Sequence, residues 1–251
     1  MQLSTLTAAI EKTEIQMPAG GSAEADPEIS GVHYDSRTVS PGGLFVAIRG
    51  LATDGHRFVE DAFRRGAAAV ICEAPIQVEG LAIVVEDSRR ALAQAGAAYY
   101  GHPSEDLTIT AVTGTNGKTT VTYLIENILA AAGLSTGVIG TVNYRYGGRA
   151  YDHPGTTPES LDLQRILAEM KAAGVTHVVM EASSHALDLQ RVHACRLQVG
   201  VYTTITQDHL DYHRDMAAYQ DAKALLFERY LPAGPAGGPV QAVLNVDDVF
   251  G

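Results

Sequence analysis

The sequence contains no tryptophan and only two cysteines, Cys72 and Cys195, each alone in an apolar or mixed segment. They form no CxxC pair, so neither a disulfide framework nor a cysteine-built metal site is readable. Two reduced thiols in a cytoplasmic protein are the expectation. No apolar run reaches the roughly 18 residues that a membrane span needs. The opening segment, MQLSTLTAAIEKTEIQ, lacks a basic start, an apolar stretch and a small-residue cleavage site, so no signal peptide is read. Basic residues are scarce: 18 Lys and Arg against 29 Asp and Glu leave a net charge of −11. A general nucleic-acid or membrane-surface binder carries a basic footprint, which this chain does not have. The overall field would repel a phosphate-bearing substrate, so local donors or metal ions must hold it.

What is present describes an ordinary folded protein. Hydrophobic residues make up 46% and charged residues 19% of the 251, which excludes a disordered chain, and the length suits one or two domains. The first hundred residues read as short strands among loops: GVHYDSR, LFVAI, AAVIC and LAIVVED, separated by turn residues such as SPGG. SRRALAQAGAAYYG has helical spacing, with Ala91, Leu92, Ala95 and Ala98 on one stripe, Ser88 as expected N-cap and Gly101 as expected stop. The polar link HPSED places an expected domain boundary at 104, giving segments 1–104 and 105–251.

In the second segment, strand-like and helix-like stretches alternate. LTITAVTG, STGVIGTV, THVVMEA, LQVGVYTTI and PVQAVLNV read as strands. TTVTYLIENILAAAG, PESLDLQRILAEMKAAG and MAAYQDAKALLFERYL read as helices, with Pro158 in the first turn of the second and Gly174 as its stop. Alternation at these lengths means right-handed βαβ units and a mostly parallel sheet. The expected class is therefore α/β, with a small N-terminal α/β domain followed by a mostly parallel-sheet domain. Such sheets bind ligands beyond the carboxyl ends of their strands. The chain stops at LNVDDVFG, in what reads as the middle of an α/β domain, so the second domain is expected to be incomplete.

The strongest motif is TGTNGKTT, running from Thr113 to Thr120 between a strand and a helix. Gly114 and Gly117 let the backbone curl around an anion, and the helix that follows aims its free N–H groups at it. Lys118 can reach β- and γ-phosphates, and Thr119 offers a hydroxyl to Mg²⁺. Val112 stands where the commoner spacing has glycine, so the motif is the shorter G-x-x-G-K-T. Glu181 ends the strand THVVMEA, where a carboxylate can hold Mg²⁺ or simply cap the next turn. In TTITQDHLDYH, His209 and His213 share a helical face, interleaved with Asp208 and Asp211. No third ligand for zinc is evident there, and the aspartates also read as helix caps. Lys223, among Ala222, Ala224, Leu225 and Leu226, reads by composition alone as a surface lysine with a snorkelling stem.

TGTNGKTT, EASSHAL, TQDHLDYH, AKALLF and LNVDD, in this order, resemble the central domain of the Mur ligases, ATP-dependent amide-bond-forming enzymes of bacterial peptidoglycan synthesis. YDSRTVSPGGLFVAIRG and TDGHRF resemble the family's N-terminal UDP-sugar-binding domain, and PGTTPES with EASSHALDLQRV points to the MurE type. The resemblance covers the chain from about residue 30. It implies that 1–104 binds the UDP-sugar and that 105–251 is an incomplete ATP-binding domain, with a C-terminal amino-acid-binding domain absent.

The resemblance also implies roles at matching positions. The loop Gly114, Thr115, Asn116, Gly117, Lys118, Thr119 and Thr120 would bind ATP, with Asn245 and Asp247 near the adenine. Thr119 and Glu181 would hold one Mg²⁺, and His209 a second. Lys223, as a carbamate, would be a further metal ligand. Tyr34 and Ser36 would meet the uridine part, and Thr156, Thr157, Ser183 and Arg191 the sugar–peptide part. Lys118, Lys223, Glu181 and His209 would form the catalytic set.

The implied reaction adds a diamino acid, meso-diaminopimelate or L-lysine, to UDP-N-acetylmuramoyl-L-Ala-D-Glu through an acyl phosphate. The partners are that dipeptide and a free amino acid, with no nucleic acid, and the family implies a cytoplasmic monomer. This chain alone is expected to bind but not to turn over. TTITQDH departs from the family's TNLT-(R/S)-DH, with Thr204 and Gln207 replacing the usual Asn and Arg. Other readings are a MurF-type ligase, against which TTPES and EASSHAL count, and a folylpolyglutamate-type ligase, against which YDSRTVSPGGLFVA counts. A further reading is a binding module without catalysis.

Overall fold

The computed structural model describes all residues except 18–25, 51–52, 77–79, 154, 209–210, 233–238 and 249. The chain divides into two compact units, Met1–Gly101 and His102–Gly251.

The first unit is built on a five-stranded sheet in the order β1-β5-β4-β3-β2. Its strands are β1 (Glu14–Gln16), β2 (Gly31–His33), β3 (Gly43–Val46), β4 (Ala69–Cys72) and β5 (Leu81–Val84), and only β1 runs antiparallel to its neighbour. β3, β4 and β5 are buried along their whole lengths, as expected of parallel strands covered on both faces. Helices α1 (Leu3–Leu6), α2 (Val59–Arg64) and α3 (Ser88–Tyr99) complete the unit. The expected strands are present; β1, α1 and α2, each too short to show a period, are additions. In α3 the cap differs from expectation. Asp87 is the N-cap, its carboxylate accepting from the N–H groups of Arg89 and Arg90, while Ser88 is the first helical residue and bonds to Glu73. A single oxygen of that carboxylate, Oδ1, accepts both bonds, at 3.0 and 2.9 Å, while the Ser88 hydroxyl is directed to Glu73. Gly101, at φ 72°, follows the helix end as its stop.

The second unit is a seven-stranded sheet in the order β12-β11-β6-β10-β7-β8-β9. The strands are β6 (Thr108–Thr113), β7 (Thr136–Ile139), β8 (Tyr144–Tyr146), β9 (Arg149–Tyr151), β10 (His177–Glu181), β11 (Val199–Tyr202) and β12 (Gln241–Val243). β12, β11, β6, β10 and β7 are parallel, and β8 and β9 form an antiparallel hairpin at the edge. Its helices are α4 (Lys118–Ala131), α5 (Ser160–Ala172), α6 (Ser184–Asp188) and α7 (Met216–Leu225), the last running on into a π-helical turn, Leu226–Tyr230. α5 buries Leu163, Ile166, Leu167 and Met170 against Ile109, Ala111, Val178 and Met180, an i, i+3, i+4, i+7 stripe. On the opposite face, Val121, Ile125 and Leu129 of α4 pack on Val112, Val179 and Val201. Glu159, not a residue inside the helix, caps α5, so Pro158 lies just before the first turn.

The β8–β9 hairpin has no counterpart in the sequence reading. Gly147 and Gly148 turn it at φ 56° and 75°, the backbone of a tight hairpin turn. Tyr151 stacks on Tyr144 and Tyr146 with centroids 5.0 and 5.3 Å apart.

The parallel register decides what meets what. Glu181 pairs with Val112, Tyr202 with Thr113, and Met180 with Ile139. The segments that follow β6, β7, β10 and β11 therefore all leave from one edge of the sheet. Asp87→Ala removes the oxygen that accepts both capping bonds of α3 and is expected to destabilise the first unit by about 1 kcal/mol, measured as a lower urea midpoint at unchanged slope.

Candidate functional site

The loop after β6 is shaped by two glycines. Gly114 has φ 140° and Gly117, the N-cap of α4, has φ 85°. A Cβ on Gly114 would lie 2.0 Å from Thr203 Oγ1 and 3.0 Å from the Thr204 carbonyl oxygen, so no other residue fits. No side chain caps the N–H groups at the start of α4, which leaves an anion-binding terminus. Thr120 is exposed on its first turn.

Two lysines converge on this loop. Lys118 Nζ donates to the carbonyl oxygens of Gly114 and Thr115, both at 2.8 Å. Lys223 Nζ donates to the same Gly114 oxygen at 2.9 Å and sits 4.6 Å from the Tyr219 ring centroid. Lys223 is only 2% exposed, so the structure corrects the surface reading of its composition: it points inward from α7. Burial, reinforced by the neighbouring Lys118 charge and opposed by Asp208, pushes its amine down to about 7. Burial also lowers Lys118, against the pull of Glu181 and Asp208.

The segment after β11 straps the loop in place. Thr115 N donates to Thr204 O at 2.7 Å, and Thr206 N to Thr115 Oγ1 at 3.0 Å. Thr203 Oγ1 donates to Asn116 O at 2.7 Å. Thr204 thus joins the strap through its backbone carbonyl, and its side chain hydrogen-bonds Asp248. Asn245 Nδ2 donates to Thr203 O at 2.7 Å, and Asp248 accepts from Tyr202 Oη at 2.9 Å and Ile205 N at 3.0 Å. Asn245 therefore braces the strap, while Asp247 is exposed and its N–H donates to Asn245 Oδ1 at 3.2 Å. Tyr219, fully buried, shares a 2.9 Å hydrogen bond with Thr115 Oγ1.

Glu181 ends β10 and is 1% exposed. Its Oε1 accepts from Thr119 Oγ1 at 2.9 Å and Thr141 N at 3.0 Å, and its Oε2 from Thr141 Oγ1 at 3.0 Å. Hydroxyl and carboxylate oxygens are the donors magnesium prefers, and it needs only one or two from protein when phosphates and waters complete the shell. Thr119 and Glu181 fit that requirement. His209 lies outside the described residues. His213 is buried, its ring 5.3 Å from Tyr219 and 5.5 Å from His185. Among the described residues no group of three or more His, Cys, Asp or Glu gathers to hold a metal.

Four further residues gather beside the carboxylate. Thr156 Oγ1 is 3.0 Å from Thr141 Oγ1. The Thr157 hydroxyl donates to Glu181 O at 2.8 Å and accepts from Ser183 N at 3.2 Å. Arg191 donates to Thr157 O at 3.0 Å and lies 3.5 Å from Glu159. Ser183 caps α6. Thr157 is thus occupied in holding the cluster together. In the first unit, Ser36 is buried at the start of a turn capped by Asp35, with half-buried Tyr34 just before it.

Sequence reasoning missed Thr141, Thr203 and Tyr219. The four-residue spacing of Tyr219 and Lys223 on one helix, and the Gly-Thr pair ending STGVIGT, were available signals; nothing local marks Thr203. Gly114→Ala is expected to destabilise the second unit by about 1–3 kcal/mol, read from urea unfolding. A wild-type midpoint would mean that the loop adopts another backbone.

A model described as the Mur ligase middle domain matches residues 112–251, and one described as the Mur ligase family, catalytic domain, matches residues 28–119. A protein of Geobacter metallireducens named UDP-N-acetylmuramoyl-L-alanyl-D-glutamate--2,6-diaminopimelate ligase is 48% identical over 253 residues, covering 100% of this chain and 48% of the relative. A Geobacillus thermodenitrificans protein of the same name is 48% identical, covering 89% and 46%. A solved structure of a ligase so named superposes with a TM-score of 0.77 at 32% identity, covering 93% of this chain and 46% of its own. One of MurF from Acinetobacter baumannii gives 0.63 at 25%, covering 98% and 49%. The chain spans about half the length of the relatives it matches. With a family model matched across residues 112–251, over a glycine-turned strand-to-helix loop and a strand-end carboxylate facing it, the chain belongs to the Mur ligase family.

Proposed function

We propose that this chain carries the nucleotide-binding and UDP-sugar-binding parts of a MurE-type ligase, which joins a diamino acid to UDP-N-acetylmuramoyl-L-Ala-D-Glu in peptidoglycan synthesis. The observation that carries the reading is the meeting of Lys118, Lys223, Thr119 and Glu181 at one sheet edge. The relatives' names favour 2,6-diaminopimelate as the amino acid, with L-lysine the comparison to assay. The reading places the protein in the cytoplasm, as a monomer, where ATP and UDP-sugars are available.

A carboxylate does not react with an amine until it is activated. In this reading the γ-phosphoryl of ATP passes to the D-Glu side-chain carboxylate, and the amine attacks the resulting acyl phosphate with loss of phosphate. Two anions must approach within a protein of charge −11. Lys118 would leave the Gly114 and Thr115 carbonyls for the phosphates, and the start of α4 would supply N–H donors. Thr119 and Glu181 would hold one Mg²⁺, with His209 and Lys223 contributing to a second. The bound ions screen phosphate charge and orient the transferred group. Thr156, Thr157, Ser183 and Arg191 would form the sugar–peptide side, Tyr34 and Ser36 the uridine side, and Asn245 and Asp247 the adenine side.

A carbamate on Lys223 requires the neutral amine, which adds to CO₂ and releases one proton. Raising the pH through about 7 deprotonates this lysine, where an ordinary lysine requires about 10.4. Carbamate is therefore expected to build up between pH 6 and pH 8, seen as a carbonyl signal in ¹³C NMR with labelled bicarbonate and missing in Lys223→Ala. No signal at pH 8 removes the carbamate. Lys118→Ala is expected to weaken Mg·ATP binding about 10- to 100-fold by titration calorimetry, the cost of a lost charged hydrogen bond. Unchanged affinity removes the phosphate-loop assignment. Ligation assays with each amino acid then separate a ligase from a binding module.

A further inference from the structure

We propose that Gly140 and Thr141 form the seat that fixes Glu181 for a divalent cation, with Thr141 acting as a positioning residue that also ties this carboxylate to the Thr156 segment. The inference rests on the reading of Glu181 as a metal ligand. Thr141 addresses both carboxylate oxygens, Oε1 through its N–H and Oε2 through its hydroxyl, each at 3.0 Å. Thr119 fills a second site on Oε1 at 2.9 Å. An ionised carboxylate has about four acceptor sites, so three are committed, and the group cannot rotate without breaking two bonds to one residue.

Proton accounting fixes the direction of the contacts. The carboxylate has no proton to give, so the Thr141 hydroxyl proton goes to Oε2. Its lone pair then accepts from Thr156 Oγ1, 3.0 Å away. The hydroxyls run Thr156 to Thr141 to Glu181, from the candidate substrate segment to the candidate metal carboxylate. Gly140 makes the space: a Cβ there would lie 2.4 Å from Glu181 Oε1 and 3.1 Å from its Cδ. The Gly140 backbone is itself pinned, its carbonyl 3.0 Å from His153 Nε2 and its N–H donating to Asn143 O at 3.1 Å. One residue thus leaves room and the next supplies donors.

The test measures Mn²⁺ binding by electron paramagnetic resonance, with a non-hydrolysable ATP analogue present, in wild type, Thr141→Val, Thr141→Ser and Gly140→Ala. Loss of an outer-shell partner weakens a metal site about 10- to 100-fold. Thr141→Val and Gly140→Ala are each expected to raise the Mn²⁺ dissociation constant by about that factor. Thr141→Ser, which keeps both donors, is expected to hold it near wild type. Nucleotide binding in EDTA should be unchanged in all four proteins, which a general loss of structure would not allow. If Thr141→Val does not fold, Gly140→Ala decides, because it displaces the carboxylate while leaving Thr141 intact. Wild-type Mn²⁺ affinity in Gly140→Ala, or in a folded Thr141→Val, overturns the seat, as does a Thr141→Ser that binds as poorly as Thr141→Val. A wild-type protein that binds nucleotide but no Mn²⁺ overturns instead the metal role of Glu181 beneath it.

Discussion

Two lysine amines, that of buried Lys223 and that of half-buried Lys118, share one carbonyl oxygen, that of Gly114, and the loop after β6 and the segments around it are arranged about that meeting. The carbonyls of Gly114 and Thr115 and the charges of Glu181 and Asp208 do not fully offset the desolvation, and burial lowers both amines. The arrangement therefore has a built-in preference for an anion. Bringing the lysines together needs a backbone turn that only glycine adopts, an α7 docked close behind the loop, and the ring of Tyr219 beside Lys223. It also resolves the conflict posed by a net charge of −11. The acidic surplus sets the field at a distance, while the contact surface at the sheet edge is made of ammonium groups and free N–H donors.

Most of the remaining connections around this pair are made by threonines. Thr115, Thr119, Thr141, Thr156, Thr157 and Thr203 bind carbonyls, carboxylates and one another. A hydroxyl donates and accepts without adding charge, so it can order a carboxylate and a loop next to buried cations without disturbing the electrostatic balance. A β-branched side chain is also stiff at χ1, which keeps the donor where the backbone puts it. Most of these threonines lie on segments leaving the carboxyl ends of parallel strands, so the sheet register sets the spacing between them.

The parallel sheet, the glycine-turned loop between β6 and α4 and the strand-end glutamate were legible because each is a local pattern: alternation of elements, GKT between strand and helix, and an acid ending an apolar run. What was illegible is non-local. Lys223 has the neighbours of a snorkelling surface residue, and only the docking of α7 on the loop buries it. Thr141 matters because β7 ends two strands from β6, with β10 between them, which a single sequence does not announce. The β8–β9 hairpin is hidden in the sequence because its glycine pair and tyrosines follow directly on the strand pattern of STGVIGTV. Asp87 caps α3 while the Ser88 hydroxyl bonds Glu73, a choice that composition alone leaves open.

The strap over the phosphate loop has a consequence for how the molecule forms. Lys223 reaches Gly114 across 109 residues of sequence, and Asp248 in turn pins the strap at Ile205 across 43. Contacts so distant in sequence close late, because chain entropy must be overcome before they contribute. During synthesis the glycine loop leaves the ribosome long before α7 and the bracing segment that follows β12. For that interval it has neither its second lysine nor the brace on its strap. Nucleotide affinity should thus arise near the end of folding, making it a reporter of the last cooperative step.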